Sequence, residues 1–332
     1  MKRCARCVLP ETFPGIEFDE EGICQYCRRL PDPKRREAQI AGLRDKFEKL
    51  VNEVRPRPGY HCLLAWSGGK DSTYTLWLLK KKYHLNVLAY TLDNGFVSPR
   101  AMKNMRVVAE NLKIDHTIVK PSFDLLKQIF VASIQPGMYP KKALERASGI
   151  CNSCMAIAKG IGLRIALEKE IPILAYGWSP GQIPLNSAIF RFSPRLLRAM
   201  VDAALKPLEN VVGKQILLYF PTDEHLDSPQ VVPYNVSPLA FLHFDEEAAL
   251  RCIDALAWER PDDTDPNSTN CLLNCLGNLI HEQQMGYHPY VMELAGLVRE
   301  GYMNRQEALS RLEIIDGSEV VTAVKAKLGI PI

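Results

Sequence analysis

The sequence predicts an α/β fold, a parallel sheet with helices on both faces, joined to a small metal-stapled head and a helical C-terminal region. Three observations predict it. From residue 61 onward, short apolar strands alternate with longer helix-prone stretches, the succession that builds a parallel, helix-covered sheet. A glycine turn joins the first of those strands to its helix. Residues 1–30 have few apolar runs yet carry two Cys-x-x-Cys pairs, so a metal rather than a core is expected to hold them.

The elements follow in order. The head contains Pro10, Pro14, Gly15 and Gly22. A charged stretch from Pro33 to Val54 places Ile40, Leu43, Phe47, Leu50 and Val54 on one helical face, and Arg55-Pro-Arg-Pro-Gly59 ends it as a linker. Leu63–Trp66 reads as a buried strand, Asp71 to about Tyr83 as a helix, Asn86–Leu92 as a second strand and Pro99 to about Leu112 as a helix. His116–Val119 is the third strand, and a helix begins near Ser122. Cys151–Glu168 is helical, and Ile171–Tyr176 is the fourth strand, ending at Gly177. Phe190–Leu218 reads as helical, followed by a segment rich in proline (Pro221, Pro229, Pro233, Pro238). In the last helical region, Tyr290–Leu328, Asn304 is placed to cap a helix whose N3 residue is Glu307. The expected division is a head over 1–30, a helical linker over 31–59, an α/β domain over 60–240 and a helical region over 241–332.

With 332 residues, the chain has room for about two domains and a sizeable core. Its 47% apolar and 24% charged content excludes a disordered chain, a collagen and a low-complexity scaffold. A net charge of +3 does not predict a strongly basic nucleic-acid surface, though it leaves a local patch open. Arg191, Arg195 and Arg198 recur at helical spacing as either a phosphate- or RNA-binding stripe or a solvated face, the commoner case. His281 and His288 read either as groups approaching a substrate near Cys271 or as solvated surface histidines, the commoner case, and Lys80–Lys82 as a complement to a helix dipole. No secretory stretch opens the chain and no apolar run reaches the ~18 residues of a membrane span, so a cytoplasmic protein without membrane contact is expected. There, thiols stay reduced. Of ten cysteines, Cys62 and Cys252 read as small buried hydrophobes, and the other eight fall in pairs.

Trp66-Ser67-Gly68-Gly69-Lys70-Asp71-Ser72 lies between a strand and a helix. Two glycines let the backbone turn and present N–H groups, and the helix directs its positive end at the same place. Ser67 and Ser72 add hydroxyls and Lys70 a cation, so a phosphate suits the cradle. The spacing is too short for the Walker-type loop. Ser-Gly-Gly-Lys-Asp-Ser resembles the PP-loop of the ATP pyrophosphatases, the adenine nucleotide alpha-hydrolase-like superfamily. The resemblance implies a HUP-like sheet and attack of a substrate on the α-phosphorus of ATP, giving an adenylate and pyrophosphate. It implies that Ser67, Gly68, Gly69, Lys70, Asp71 and Ser72 bind the phosphates with bridging Mg2+, Lys70 and Asp71 acting catalytically. Asp93, at the end of the second strand, serves the nucleotide or magnesium, or caps a turn. Gly177 stands where the superfamily has a glycine-containing motif near the adenylate.

Cys4-x-x-Cys7 and Cys24-x-x-Cys27 have the spacing of a four-thiolate zinc ribbon. The run from Cys4 through Val-Leu-Pro-Glu-Thr-Phe-Pro-Gly to Cys27 resembles the N-terminus of the N-acetyl sugar amidotransferases of bacterial surface-polysaccharide synthesis, themselves PP-loop enzymes. Leu297-Val-Arg-Glu-Gly-Tyr-Met-Asn-Arg-Gln-Glu-Ala-Leu309 resembles their tail.

Cys151-Asn-Ser-Cys154 opens a helix, where the dipole favours thiolates, and Cys271 and Cys275 follow far downstream. This departs from the sugar amidotransferases and resembles the PP-loop tRNA-thiolating enzymes, in which a central CxxC and a distant third cysteine hold a 4Fe-4S cluster with one iron open to a sulfide. That resemblance implies Cys151, Cys154 and Cys271 as ligands, with Cys275 as substitute, and Cys271 as part of the catalytic apparatus. A second structural zinc on all four thiols and a persulfide or catalytic-thiol role stay open beside it. Two activities are therefore expected. One is sulfur transfer to a tRNA base or small molecule, served by a sulfur donor. The other is amidotransfer to an N-acetylated sugar with ammonia from a partner glutaminase. A non-enzymatic nucleotide sensor is the third reading. The expected assembly is a homodimer.

Overall fold

The computed structural model describes residues 1–227, 229–265, 267–313 and 319–331. Its six strands are β1 (Cys62–Ala65), β2 (Val87–Leu92), β3 (Asp115–Val119), β4 (Ile173–Tyr176), β5 (Ile189–Arg191) and β6 (Tyr234–Val236). They form one sheet in the order β3-β2-β1-β4-β6-β5, in which every pair is parallel except β5 with β6. β5 occupies Ile189–Arg191, where a helix is expected from Phe190, and that helix starts instead at Pro194 and runs to Val212. β6 lies inside the proline-rich segment. It sits beside β4, and Pro233 precedes its first ladder position, which is where a strand tolerates proline.

Alternation along the strands sends side chains to two cores. Leu63, Leu88, Tyr90, Leu174 and Tyr176 face the helices Phe123–Ile134, Gly149–Glu168 and Pro194–Val212. Cys62, Leu64, Val87, Ala89, Ile173 and Ala175 face Pro33–Val54, Lys70–Trp77, Pro99–Leu112 and Glu246–Asp254. The helix Pro33–Val54 buries the face read from its sequence through Phe47, Leu50 and Val54, and Asp32 caps it by accepting from the Lys34 and Arg35 amides. Gly149–Glu168 is, among the described residues, the one helix long and apolar enough by length and composition to cross a membrane, although Lys159 and Arg164 interrupt its sequence. It packs against the sheet, with Ile157, Ile161 and Ala166 in the first core.

The head has a core after all, and shares it. Val8, Leu9 and Phe13 bury themselves with Tyr287, Val291 and Leu294 of the C-terminal region. That region is helical over Leu273–Met285, Val291–Arg299, Arg305–Ser310 and Glu319–Leu328, while 314–318 lie outside the described residues. Asn304 caps the third of these helices, accepting from the Glu307 amide at 2.8 Å. An Asn304→Ala variant is expected to lose about 1 kcal/mol of stability, read by chemical denaturation.

His281 and His288 are buried at 2% and 3% exposure, so neither is a surface histidine. Burial holds both rings near a pKa of 4, neutral at physiological pH. The arginine stripe does not form. Arg191 is on β5 over the Tyr234 ring, and Arg198 pairs with Asp223 and Asp227.

Candidate active site

In an open α/β sheet, ligands bind beyond the strand C-termini where the strand order reverses. Here that point lies between β1 and β4. A cavity of about 530 Å³ opens there, within the range of small-molecule sites, and it is lined by the residues that follow both strands.

Ser67, Gly69, Lys70, Asp71 and Ser72 line one end. Gly68 makes the turn at φ 78°, a conformation suited to glycine. The loop folds back on the helix Lys70–Trp77: Ser67 Oγ lies 3.1 Å from Ser72 Oγ, and the Gly69 amide donates to Ser67 Oγ at 3.3 Å. Trp258, from the chain beyond the sheet, braces it by donating its indole N–H to the Gly68 carbonyl at 2.9 Å. Gly177, after β4, has no room for a side chain. A Cβ there would sit 2.6 Å from Ser72 Cα and 2.8 Å from its nitrogen.

Lys70 Nζ pairs with Glu246 Oε1 at 2.6 Å and stands 3.6 Å from Asp71 Oδ1. Asp71 Oδ1 is enclosed without a hydrogen-bond partner. Burial pushes the Asp71 carboxyl up, against the pull of Lys70. An orphaned carboxylate oxygen beside a phosphate cradle fits a nucleotide-bound Mg2+ ion, which takes one or two carboxylates together with phosphate oxygens. Asp93 does not line the cavity. Its carboxylate accepts from the Gly95 amide at 2.9 Å and pairs with Lys120 at 3.2 Å, the turn-capping role. Asn94, the next residue, faces the cavity instead.

Sequence reasoning missed Glu293 and Lys159, both on the cavity wall. No local motif marks either: Lys159 lies on the long apolar helix Gly149–Glu168 and Glu293 on the helix Val291–Arg299. Burial, reinforced by the facing Asp71, raises the Glu293 carboxyl from its ordinary 4.5 to about 8. Burial lowers the Lys159 ammonium, which stands 6.0 Å over the Trp178 ring. A raised carboxyl stabilises the fold below its unfolded value of 4.5, and that contribution is lost as pH rises through 8. Glu293→Gln is therefore expected to flatten a decline in melting temperature between pH 5 and 8, its advantage over the parent growing across that window and levelling off above pH 8.

Cys151, Cys154 and Cys271 line the same cavity, whereas Cys275 does not. Asn94 Nδ2 donates to both Cys154 Sγ at 3.4 Å and Cys271 Sγ at 3.5 Å, and Asn274 Nδ2 reaches Cys151 Sγ at 3.6 Å. Burial pushes Cys151 up to about 11 and Cys154 up to about 12, and raises Cys271. Among the described residues, only Cys4, Cys7, Cys24 and Cys27 bring four ligand atoms within 4.8 Å of one another. The three cavity thiols do not meet that spacing.

At the head, Cys4 and Cys27 Sγ are 3.8 Å apart and Cys7 and Cys24 Sγ 3.7 Å. The amides of Cys7 and Cys24 point at Cys4 Sγ at 3.4 and 3.2 Å, as in a knuckle that stabilises thiolate. The set fits one Zn2+. The C-terminal region reaches into it: Arg299 Nη1 stands 3.7 Å from Cys7 Sγ, and Arg305 donates to the Cys7 and Cys4 carbonyls at 3.0 and 3.3 Å. A Cys24→Ser variant is expected to release the head, seen as rapid proteolytic clipping within residues 1–30 and a melting point several degrees lower.

No family model matches the chain. It is 25% identical over 314 residues to the uncharacterized protein MJ1599 of Methanocaldococcus jannaschii, covering 94% of this chain and 93% of that one. Among solved structures, it is similar to the U34-tRNA thiolase NcsA of Methanococcus maripaludis with its 4Fe-4S cluster, at TM-score 0.39 and 18% identity over 100% and 99% of the two chains. The NMN synthetase of Francisella tularensis is similar at TM-score 0.38 and 13% identity, over 91% of this chain and 98% of that one. The NH3-dependent NAD synthetase of Campylobacter jejuni gives TM-score 0.35 and 11% identity, over 87% of this chain and all of that one.

Proposed function

We propose that the protein is an ATP-dependent adenylating enzyme that replaces an oxygen of a small-molecule or tRNA acceptor with sulfur. One observation carries this reading: a single cavity has a phosphate cradle at one end and three unpaired cysteines on its wall. The amides of 67–72, the helix N-terminus and Lys70 neutralise the ATP phosphates, and Asp71 holds their Mg2+. The acceptor oxygen attacks the α-phosphorus, and the electron pair of the broken P–O bond leaves with pyrophosphate. The adenylated oxygen then departs with AMP as sulfur takes its place on carbon. Cys151, Cys154 and Cys271 hold the cluster, and Asn94 orients two of their sulfurs. When bound, a 4Fe-4S cluster with three protein ligands supplies an open iron that accepts sulfide. Zn2+ at Cys4, Cys7, Cys24 and Cys27 is structural.

Anaerobically purified protein is expected to be brown, to absorb near 400 nm, and to carry about four irons beside one zinc. With acceptor, it should release pyrophosphate from ATP. A colourless, zinc-only protein after anaerobic reconstitution overturns sulfur transfer and favours nitrogen transfer to an N-acetylated sugar, the reading that the two ends of the sequence support. Absence of pyrophosphate release with any acceptor overturns the enzyme itself.

A further inference from the structure

We infer that Thr269 is a positioning residue that passes the occupancy of the phosphate loop to Cys271. The inference rests on ATP binding at residues 67–72. Lys70 opens its helix, and the residue before it, Gly69, offers no side-chain cap. The Lys70 amide, a group an anion would otherwise take, donates instead to Thr269 Oγ1 at 2.9 Å. The contact is close along its length: a Cβ on Gly69 would lie 3.0 Å from Thr269 Oγ1 and 3.2 Å from Asn270 Oδ1. The Thr269 hydroxyl thus stands where a phosphate oxygen would bind. The Lys70 ammonium is held in the same way, by Glu246.

Two residues on, the same segment holds Cys271. The Ser98 amide donates to the Asn270 carbonyl at 2.9 Å, and the Leu272 amide to the Phe96 carbonyl at 2.9 Å, so Cys271 is clamped opposite Val97. Asn94, on the same loop after β2, contacts the Cys271 and Cys154 sulfurs. Two residues of chain reach at most ~7 Å, so the two anchorages lie close together. A phosphate oxygen that takes the Lys70 amide releases Thr269, and the release is felt at the two hydrogen bonds flanking Cys271. Nucleotide binding thereby readies the sulfur end of the cavity before an adenylate forms.

The test is hydrogen–deuterium exchange on the full-length protein as isolated, with and without α,β-methylene ATP. In the parent, the nucleotide should slow exchange in the loop peptide 66–78 and change it roughly tenfold at the Ser98 and Leu272 amides. Thr269→Val should keep the loop response and lose the response at Ser98 and Leu272, and Thr269→Ser should restore it. A Thr269→Val protein that keeps both responses overturns the relay alone. No response in the parent's loop peptide overturns the ATP-site reading, and the relay with it.

Discussion

A Cys271→Ser variant is expected to lose sulfur transfer altogether while its phosphate loop still binds ATP. Serine keeps the shape of the side chain but offers an oxygen where a soft metal needs thiolate. Iron content should fall from about four per chain to below one, and the absorbance near 400 nm should vanish. The N-terminal zinc should remain, because that site lies in a separate core. Cys275→Ser is the matched control, since Cys275 lies off the cavity wall and should leave iron, colour and turnover unchanged. Equal losses in the two variants would sink the three-ligand assignment in favour of a four-thiol site.

The second large effect belongs to a residue without functional groups. Gly177→Ala should lower ATP turnover by about 100-fold, the scale expected when a catalytic cradle shifts by roughly 1 Å. The added carbon would meet backbone atoms of Ser72 at 2.6 and 2.8 Å, and neither can rotate away. Either the loop helix or the end of β4 must retreat, and both line the cavity. The parent sheet should survive, because Ile173, Leu174 and Ala175 keep their ladder partners. Pyrophosphate release beside a circular dichroism spectrum separates a displaced cradle from an unfolded chain.

Much of the sheet was legible because β1, β2 and β4 are short, largely apolar runs, with the β-branched Thr117-Ile118-Val119 marking β3. β5 and β6 were not, since three-residue strands at Ile189–Arg191 and Tyr234–Val236 carry too little periodicity to compete with the helical and proline signals around them. The glycine loop on the cavity wall was legible because its residues are contiguous, 67 to 72. Thr269, Glu246 and Glu293 were not, because each reaches the cradle from about two hundred residues away and only the closed fold brings it there. Asp93 shows the same limit at close range: sequence places a carboxylate at a strand end, but the turn decides that Asn94 faces inward.

The head's dependence on the C-terminal region also orders the protein's biosynthesis. Residues 1–30 leave the ribosome well before their apolar partners Tyr287, Val291 and Leu294 and the arginines at 299 and 305. The four head thiols therefore reach their full packing only after that later region has been made. The same wait applies to Cys151 and Cys154 until Cys271 arrives. Both cysteine sets are thus completed only after synthesis has passed Cys271 and the helix Val291–Arg299.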